Sequence, residues 1–401
     1  MTEPLDDQPT APGPLDGVQV LDLTSVIMGP LATQTLGDLG AEVVSIEGRA
    51  GDTNRSMGPG PVAGLSGTSM NLMRNKRSVG LDLKDPAGRD AFLRLAARSD
   101  VVVTNLRPGP LQRLGLTYDD VRQVCPDVIF CQAQGYPSTS DDADAPAYDD
   151  IIQSASAIGE LFARQGHRPA LLPTLVADKV AGLTIASAII AALYHRANTG
   201  QGQRIEVPMI DVMRSFVLVE HGAGAIPEPP QAEPGYQRIL TPERRPQQTA
   251  DGWINVLPYS EEHYHHLFRA GGRDDLLDDP RIASRSARIT NSDSLYREVA
   301  TILAGRTTSA WLAFCDEHGI PATASATLSD LVDELPLAEH PDAGTYRQIP
   351  PPVRYDATPA SIRRHAPLPG QQGREVLAEL GYSPQELDEL ERDGVLYTPA
   401  E

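Results

Sequence analysis

Cysteine is scarce in this chain of 401 residues: there are three, at 125, 131 and 315. Their spacing matches no metal-ligand pattern, and no disulfide framework is expected from them. Basic residues are also in short supply, 34 Lys and Arg against 54 Asp and Glu, for a formal net charge of −20. That balance argues against nucleic acid or an anionic membrane as the main partner. No charge-free apolar run reaches the roughly 18 residues of a membrane span; the stretch 180–194 is shorter and rich in Ala and Gly. The N-terminus, MTEPLDDQPTAPGP, has neither the basic start nor the apolar centre of a signal peptide, so residues 1–14 are expected to form a disordered tail and the protein to be cytoplasmic. Several motifs are missing as well. TSVIMGP follows the first predicted strand where a dinucleotide fold would carry GxGxxG, and neither a Walker motif nor a GxSxG elbow occurs. His263, His265 and His266 cluster in EEHYHHL without an HExxH arrangement, and His167 stands alone, so no metal site is expected.

What is present is an alternation of β-branched runs and helical patterns. VQVLDL (18–23), EVVSIE (42–47), SVGLDL (78–83), DVVVTNL (100–106) and DVIFCQA (127–133) read as strands. Between them, 29–40 reads as a helix closed by Gly40, and 86–99 as a helix with Pro86 in its first turn. Crossovers of this size imply an α/β fold with a mostly parallel, Rossmann-like sheet. Further on come a helix over 147–162, a long small-residue helix from Asp178, a strand at 203–209 and a helix at 211–221. Four prolines in 225–235 read as an extended linker, the Asp251-Gly252 turn as a hairpin, and 348–370 as a second Pro-rich stretch before a terminal helix pair. At this length two or three domains are expected.

Three clusters are chemically suggestive. Arg74-Asn75-Lys76-Arg77 precedes the SVGLDL strand, and Asn105-Leu106-Arg107 follows DVVVTNL. Ligands of open parallel sheets bind at strand ends, where guanidinium and ammonium groups suit phosphates; a solvated turn is the plain alternative. The third is Asp178, where a Pro/Thr-containing loop turns into a helix. Locally it reads as a helix N-cap.

Taken in order along the chain, PLDGVQVLDLTSVIMGPLATQTLGDLGAEVVSIEGRAGD (14–52), NKRSVGLDLKDPAGRDAF (75–92), NLRPGPLQRLGL (105–116), GYP (135–137), AYDDIIQSASAIGEL (147–161), ADKVAG at Asp178 and TGQGQRIEVPMIDVM (199–213) resemble the family III CoA-transferases. That family includes formyl-CoA transferase, carnitine CoA-transferase and 2-methylacyl-CoA racemase. The resemblance implies a large Rossmann-like domain from 15–224 and 346–401, a smaller α+β domain from 225–345, and a homodimer of two interlocked subunits. It implies that Asp178 is a nucleophile that moves CoA from an acyl-CoA thioester to a free carboxylic acid, through an aspartyl anhydride and an aspartyl-CoA thioester. No permanently bound cofactor is implied; coenzyme A and its thioesters are substrates.

By the same resemblance Arg74, Lys76, Arg77, Asn105, Leu106 and Arg107 hold CoA, and Ser25, Val26, Ile27, Gln134, Gly135, Tyr136 and Tyr148 face the acyl end. The chain departs from the formyl-CoA transferases at Ser25 and Ile27, where they carry histidine and glutamine, and at Gln134, where they carry lysine. These changes speak against oxalate as acceptor. The racemases pair the aspartate with a histidine at the position of Tyr148; a phenol that titrates near ~10 is a poor base at neutral pH, which favours transfer over racemisation. A racemase and a non-catalytic CoA-binding paralogue are the alternatives.

Overall fold

The computed structural model describes residues 12–399. They divide into two compact units: one holds the residues up to Ser156, Leu172–Ser215 and the chain from Leu335 on, the other Ala157–Leu171 and Phe216–Glu334.

The first unit is an α/β fold on a seven-stranded sheet. Its parallel strands are β1 (Gln19–Leu23), β2 (Glu42–Glu47), β3 (Lys76–Leu81), β4 (Val101–Thr104), β5 (Ile129–Gln134) and β6 (Gln203–Pro208), in spatial order 3-2-1-4-5-6. The short strand Leu396–Tyr397 pairs antiparallel with β3 at the edge. Strands β1 to β5 are largely buried on both faces, which is why most of them read as apolar runs, whereas the edge strand β6 is partly exposed. One face carries Leu21, Val44, Val102 and Phe130 into a core closed by Phe92, Val121 and Leu377. The opposite face is covered by helix α1 (Met28–Asp38) and the long helix Val176–Thr199. These two approach so closely that a Cβ on Gly182 would sit 2.7 Å from the Met28 carbonyl oxygen; only glycine permits the contact. By length and composition the Val176–Thr199 helix suits a membrane span, but in this unit nearly half of it is buried against α1 and the sheet.

The strand reading of 78–83 is corrected to Lys76–Leu81, and that shift decides the fate of the basic cluster. The helix expected over 147–162 is two helices, Asp149–Ala155 and Ile158–Arg164, broken where Ala157 adopts a left-handed φ of 68°. The Pro-rich segment near 361–367 has no regular structure and is held by hydrogen bonds: Asn75 Oδ1 accepts from the backbone N–H groups of Arg363 (2.6 Å) and Arg364 (3.0 Å), and Arg55 donates to the Pro367 carbonyl (2.7 Å).

The second unit has a three-stranded antiparallel sheet, Gln247–Gln248, Trp253–Val256 and Ala322–Ala324, with the expected turn at Asp251-Gly252 between its first two strands. Helices Glu261–Ala270, Ser292–Leu303 and Thr308–Glu317 pack Leu267, Phe268, Leu295, Val299 and Trp311 into its core.

Candidate active site

Strand order 3-2-1-4 reverses direction between β1 and β4, so the loops that leave these two strands part and open a crevice. A cavity of about 240 Å³ lies there in the first unit. Ser25, Val26 and Met28 line it from the loop after β1, Asn105, Leu106, Arg107 and Pro110 from the loop after β4, and Gln134 and Gly135 from the end of β5. Two loops are tied across the crevice: the Ser25 N–H donates to Asn105 Oδ1 (3.0 Å), and Asn105 Nδ2 donates back to the Ser25 carbonyl (2.8 Å). Val26 is held at φ 72°, rare for a β-branched residue. Its N–H donates to Asp52 (3.0 Å), a carboxyl that burial raises to about 6. Backbone strain at the wall of a crevice marks a place where position is over-determined by surrounding contacts.

Asp178 lines the same cavity. It is not the N-cap of its helix. Leu175 takes that position without a side-chain bond, Asp178 stands three residues in, and a second carboxylate does the capping. Asp149 Oδ1 accepts from the N–H groups of Ala177 (2.8 Å) and Asp178 (3.1 Å), while Gln153 donates to its other oxygen (2.5 Å). Asp149 therefore takes the helix-end donors that an N-cap carboxylate at Asp178 would have used. Burial, then the neighbouring charge of Asp149, raises Asp178 from 3.8 to about 7. A desolvated carboxylate that titrates near neutrality is a common property of reacting groups.

The residues expected to hold CoA part company. Asn105, Leu106 and Arg107 line the crevice; Arg74, Lys76 and Arg77 do not. The last two are consecutive on β3 and point to opposite faces of the sheet. Lys76 is buried, and Nζ is saturated by Asp22 Oδ2 (3.0 Å), the Pro30 carbonyl (3.0 Å) and Thr33 Oγ1 (2.7 Å). Arg74 is buried in a bidentate pair with Asp38 (3.0 and 2.6 Å) and also donates to Asn71 and the Ile349 carbonyl. Arg77 is paired with Glu379 (2.7 Å) and Glu375 (3.5 Å) on the helix Gly373–Glu379. The reading of this cluster as a phosphate grip is corrected: in this fold it locks β3 to α1, to the 361–364 segment and to the C-terminus.

Ser25, Val26, Gln134, Gly135 and Tyr148 line the crevice, whereas Ile27 is turned into the core and Tyr136 stands outside the lining. Gln134 is fixed by bonds to the Tyr136 carbonyl (2.8 Å) and Glu206 (3.2 Å). Tyr148 is largely exposed at the rim. Sequence reasoning missed Asp149, Met209 and Ala145–Ala147. The acidic loop before Tyr148 signalled only a turn, and the Asp149-Asp150 pair only a helix start; that their backbone returns to the Asp178 helix is a long-range contact. Among the described residues no cluster of His, Cys, Asp and Glu is arranged to hold a metal ion.

Fold and crevice together define an α/β protein whose open sheet parts at its switch point beside a buried carboxylate. The chain belongs to CoA-transferase family III, which its residues 15–373 match, and it is an enzyme of that kind, a CoA-transferase acting on CoA thioesters. It is 30% identical to the succinyl-CoA:glutarate CoA-transferase of Mus musculus, over 96% of this chain and 90% of the relative. It is likewise 30% identical to the succinyl-CoA:mesaconate CoA-transferase of Haloarcula hispanica, over 92% of this chain and 97% of the relative. Among solved structures, a CaiB/BaiF family protein from Brucella suis superposes with a TM-score of 0.78 at 27% identity, covering 92% of this chain and all of the other.

Proposed function

We propose that Asp178 carries CoA between two acids as a covalent nucleophile. The observation that bears most weight is its place: a half-titrated carboxylate at the wall of a crevice that also presents Arg107. The ionised carboxylate attacks the thioester carbonyl of the donor acyl-CoA; the C–S bond breaks, and an aspartyl–acyl anhydride and CoA thiolate form. The thiolate attacks the aspartyl carbonyl, the anhydride C–O bond breaks, and the donor acid leaves as a carboxylate. The acceptor carboxylate then attacks the aspartyl-CoA thioester and expels thiolate, which recaptures the acceptor acyl group and frees Asp178. Splitting the exchange this way keeps an activated acyl bond at every stage, and a narrow crevice favours it by keeping water off the anhydride.

In this reading Asn105, Leu106 and Arg107 hold CoA, Gln134 and Gly135 face the thioester, and Ser25, Val26 and Tyr148 border the acyl group. Several relatives are named for succinyl-CoA as donor, which makes it the first thioester to try here. The cavity lining holds no histidine to act across an α-carbon, so transfer is favoured over racemisation. We also read the protein as a cytoplasmic homodimer, an assembly in keeping with Leu183, Ile190 and Tyr194, which form an exposed apolar stripe along the Val176–Thr199 helix.

The test is a trap. The protein is incubated with succinyl-CoA and other acyl-CoAs, quenched with hydroxylamine or borohydride, and mapped by mass spectrometry. A modified peptide carrying Asp178 is expected. Labelling elsewhere, or substantial transfer by Asp178→Ala, overturns the nucleophile.

A further inference from the structure

A second cavity, of about 170 Å³, lies wholly in the second unit, lined by Arg238, Arg285, Arg288, Tyr259, Tyr264 and Tyr296 together with Pro258, Ile289 and Ser292. Three features set it apart from a surface dimple. First, its lining contains three guanidinium groups and no carboxylate, in a chain where acidic residues outnumber basic ones by 54 to 34. Second, among the described residues no Asp or Glu pairs with these arginines, and donors are left over. Arg238 donates Nε to the Tyr296 hydroxyl (3.3 Å) and lies 5.3 Å from the centre of the Tyr259 ring; Arg288 donates one Nη to the Ile282 carbonyl (2.6 Å). Third, the wall between them is built. Tyr264 is buried, on a helix packed into the core of this unit, and burial raises its phenol above the ordinary range, so its hydroxyl remains protonated and able to donate.

Like charges gathered around one cavity repel unless an anion fills it. Guanidinium forks match carboxylates in a bidentate manner, and phenol hydroxyls complete the shell. Three positive charges with no internal counter-charge favour a dianion over a monoanion. A cavity of about 170 Å³ with three cations at its wall suits a compact acid.

From this juxtaposition we propose that the second unit carries a binding site of its own for a small dicarboxylate, gripped by Arg238, Arg285 and Arg288. Its lining shares no residue with the Asp178 crevice, and binding here does not depend on covalent transfer through Asp178.

The experiment is isothermal titration calorimetry on the full chain carrying Asp178→Ala, so that binding is read without turnover. The probe is succinate; butyrate serves as the monocarboxylate of equal length and inorganic phosphate as the other compact dianion. Succinate is expected to bind at one equivalent per chain, at least tenfold tighter than butyrate or phosphate. Arg285→Gln, a change at an exposed position, and Arg238→Gln should each weaken it tenfold or more, and Arg107→Gln should leave it unchanged. Absence of succinate binding, equal binding of butyrate or phosphate, or full affinity in both Arg285→Gln and Arg238→Gln overturns the site. Loss of binding in Arg107→Gln places the acid in the other crevice and overturns it too. The trap at Asp178 reads a different residue, so either idea can fail while the other stands.

Discussion

Asp178→Asn is expected to abolish transfer and at the same time to stabilise the protein, by an amount that depends on pH. Burial and the Asp149 charge raise the carboxyl from 3.8 to about 7. An acid with a raised pKa holds its proton more tightly in the folded than in the unfolded chain. Its ionisation therefore costs nothing below the unfolded value of 3.8, where both states are protonated. The cost grows as pH climbs towards 7 and is complete above it. At about 1.4 kcal/mol per pKa unit, the load comes to roughly 2 kcal/mol at pH 5 and roughly 4 kcal/mol at pH 8. Asparagine keeps the shape and carries no charge, so urea unfolding of wild type and variant should show a stability gain that widens between these two pH values. In the wild type, kcat/KM should rise about tenfold from pH 6 to pH 8 as the carboxylate ionises. A variant that is no more stable at pH 8 than at pH 5 relative to wild type, or a flat activity profile, refutes the claim that Asp178 is held near neutrality.

Three more perturbations follow from named contacts. Asp149→Asn keeps an oxygen to accept from the N–H groups of Ala177 and Asp178 but removes a charge; the acid limb of kcat/KM should move below 7 yet stay above 3.8, because burial, the larger cause, persists. An unmoved limb removes Asp149 as a tuning group. Lys76→Met strands the buried Asp22 carboxylate without its ammonium partner and should cost about 3–5 kcal/mol in urea unfolding, while the acyl-CoA KM of the folded protein is unchanged; a selective rise in KM with native stability would return Lys76 to CoA binding. Gly135→Ala sets a Cβ 2.2 Å from the Ala147 Cβ. It should displace the Ala145–Ala147 wall, costing about 1–3 kcal/mol of stability and raising KM; wild-type kinetics would show that this wall does not touch substrate.

The inner strands β1, β2, β4 and β5 were legible because they are largely buried on both faces and are rich in β-branched and apolar residues. Asn105 and Arg107 were legible as crevice residues because they follow a strand end in an open sheet, where such crevices form. The basic cluster misled for a reason of register. With β3 starting at Lys76, side chains alternate across the sheet, and the three cations separate towards Asp38, Asp22 and the Glu375–Glu379 helix. A run of like charges in sequence carries no record of which face each one takes, or of which carboxylate waits there.

By itself the sequence determined the alternation of elements, hence the α/β class, and through its ordered motifs the family; it also singled out Asp178, which we propose as the reacting group. Only the tertiary structure decided the state of that group. The pKa of a carboxylate depends on the solvent it loses and on the charges it meets. Asp178 loses its water to the crevice wall and meets Asp149, 29 residues away along the chain, at the end of its own helix. The same holds for the cation pocket of the second unit, where Arg238 and Arg288 lie far apart in sequence and converge because the helices that carry their neighbours share one core.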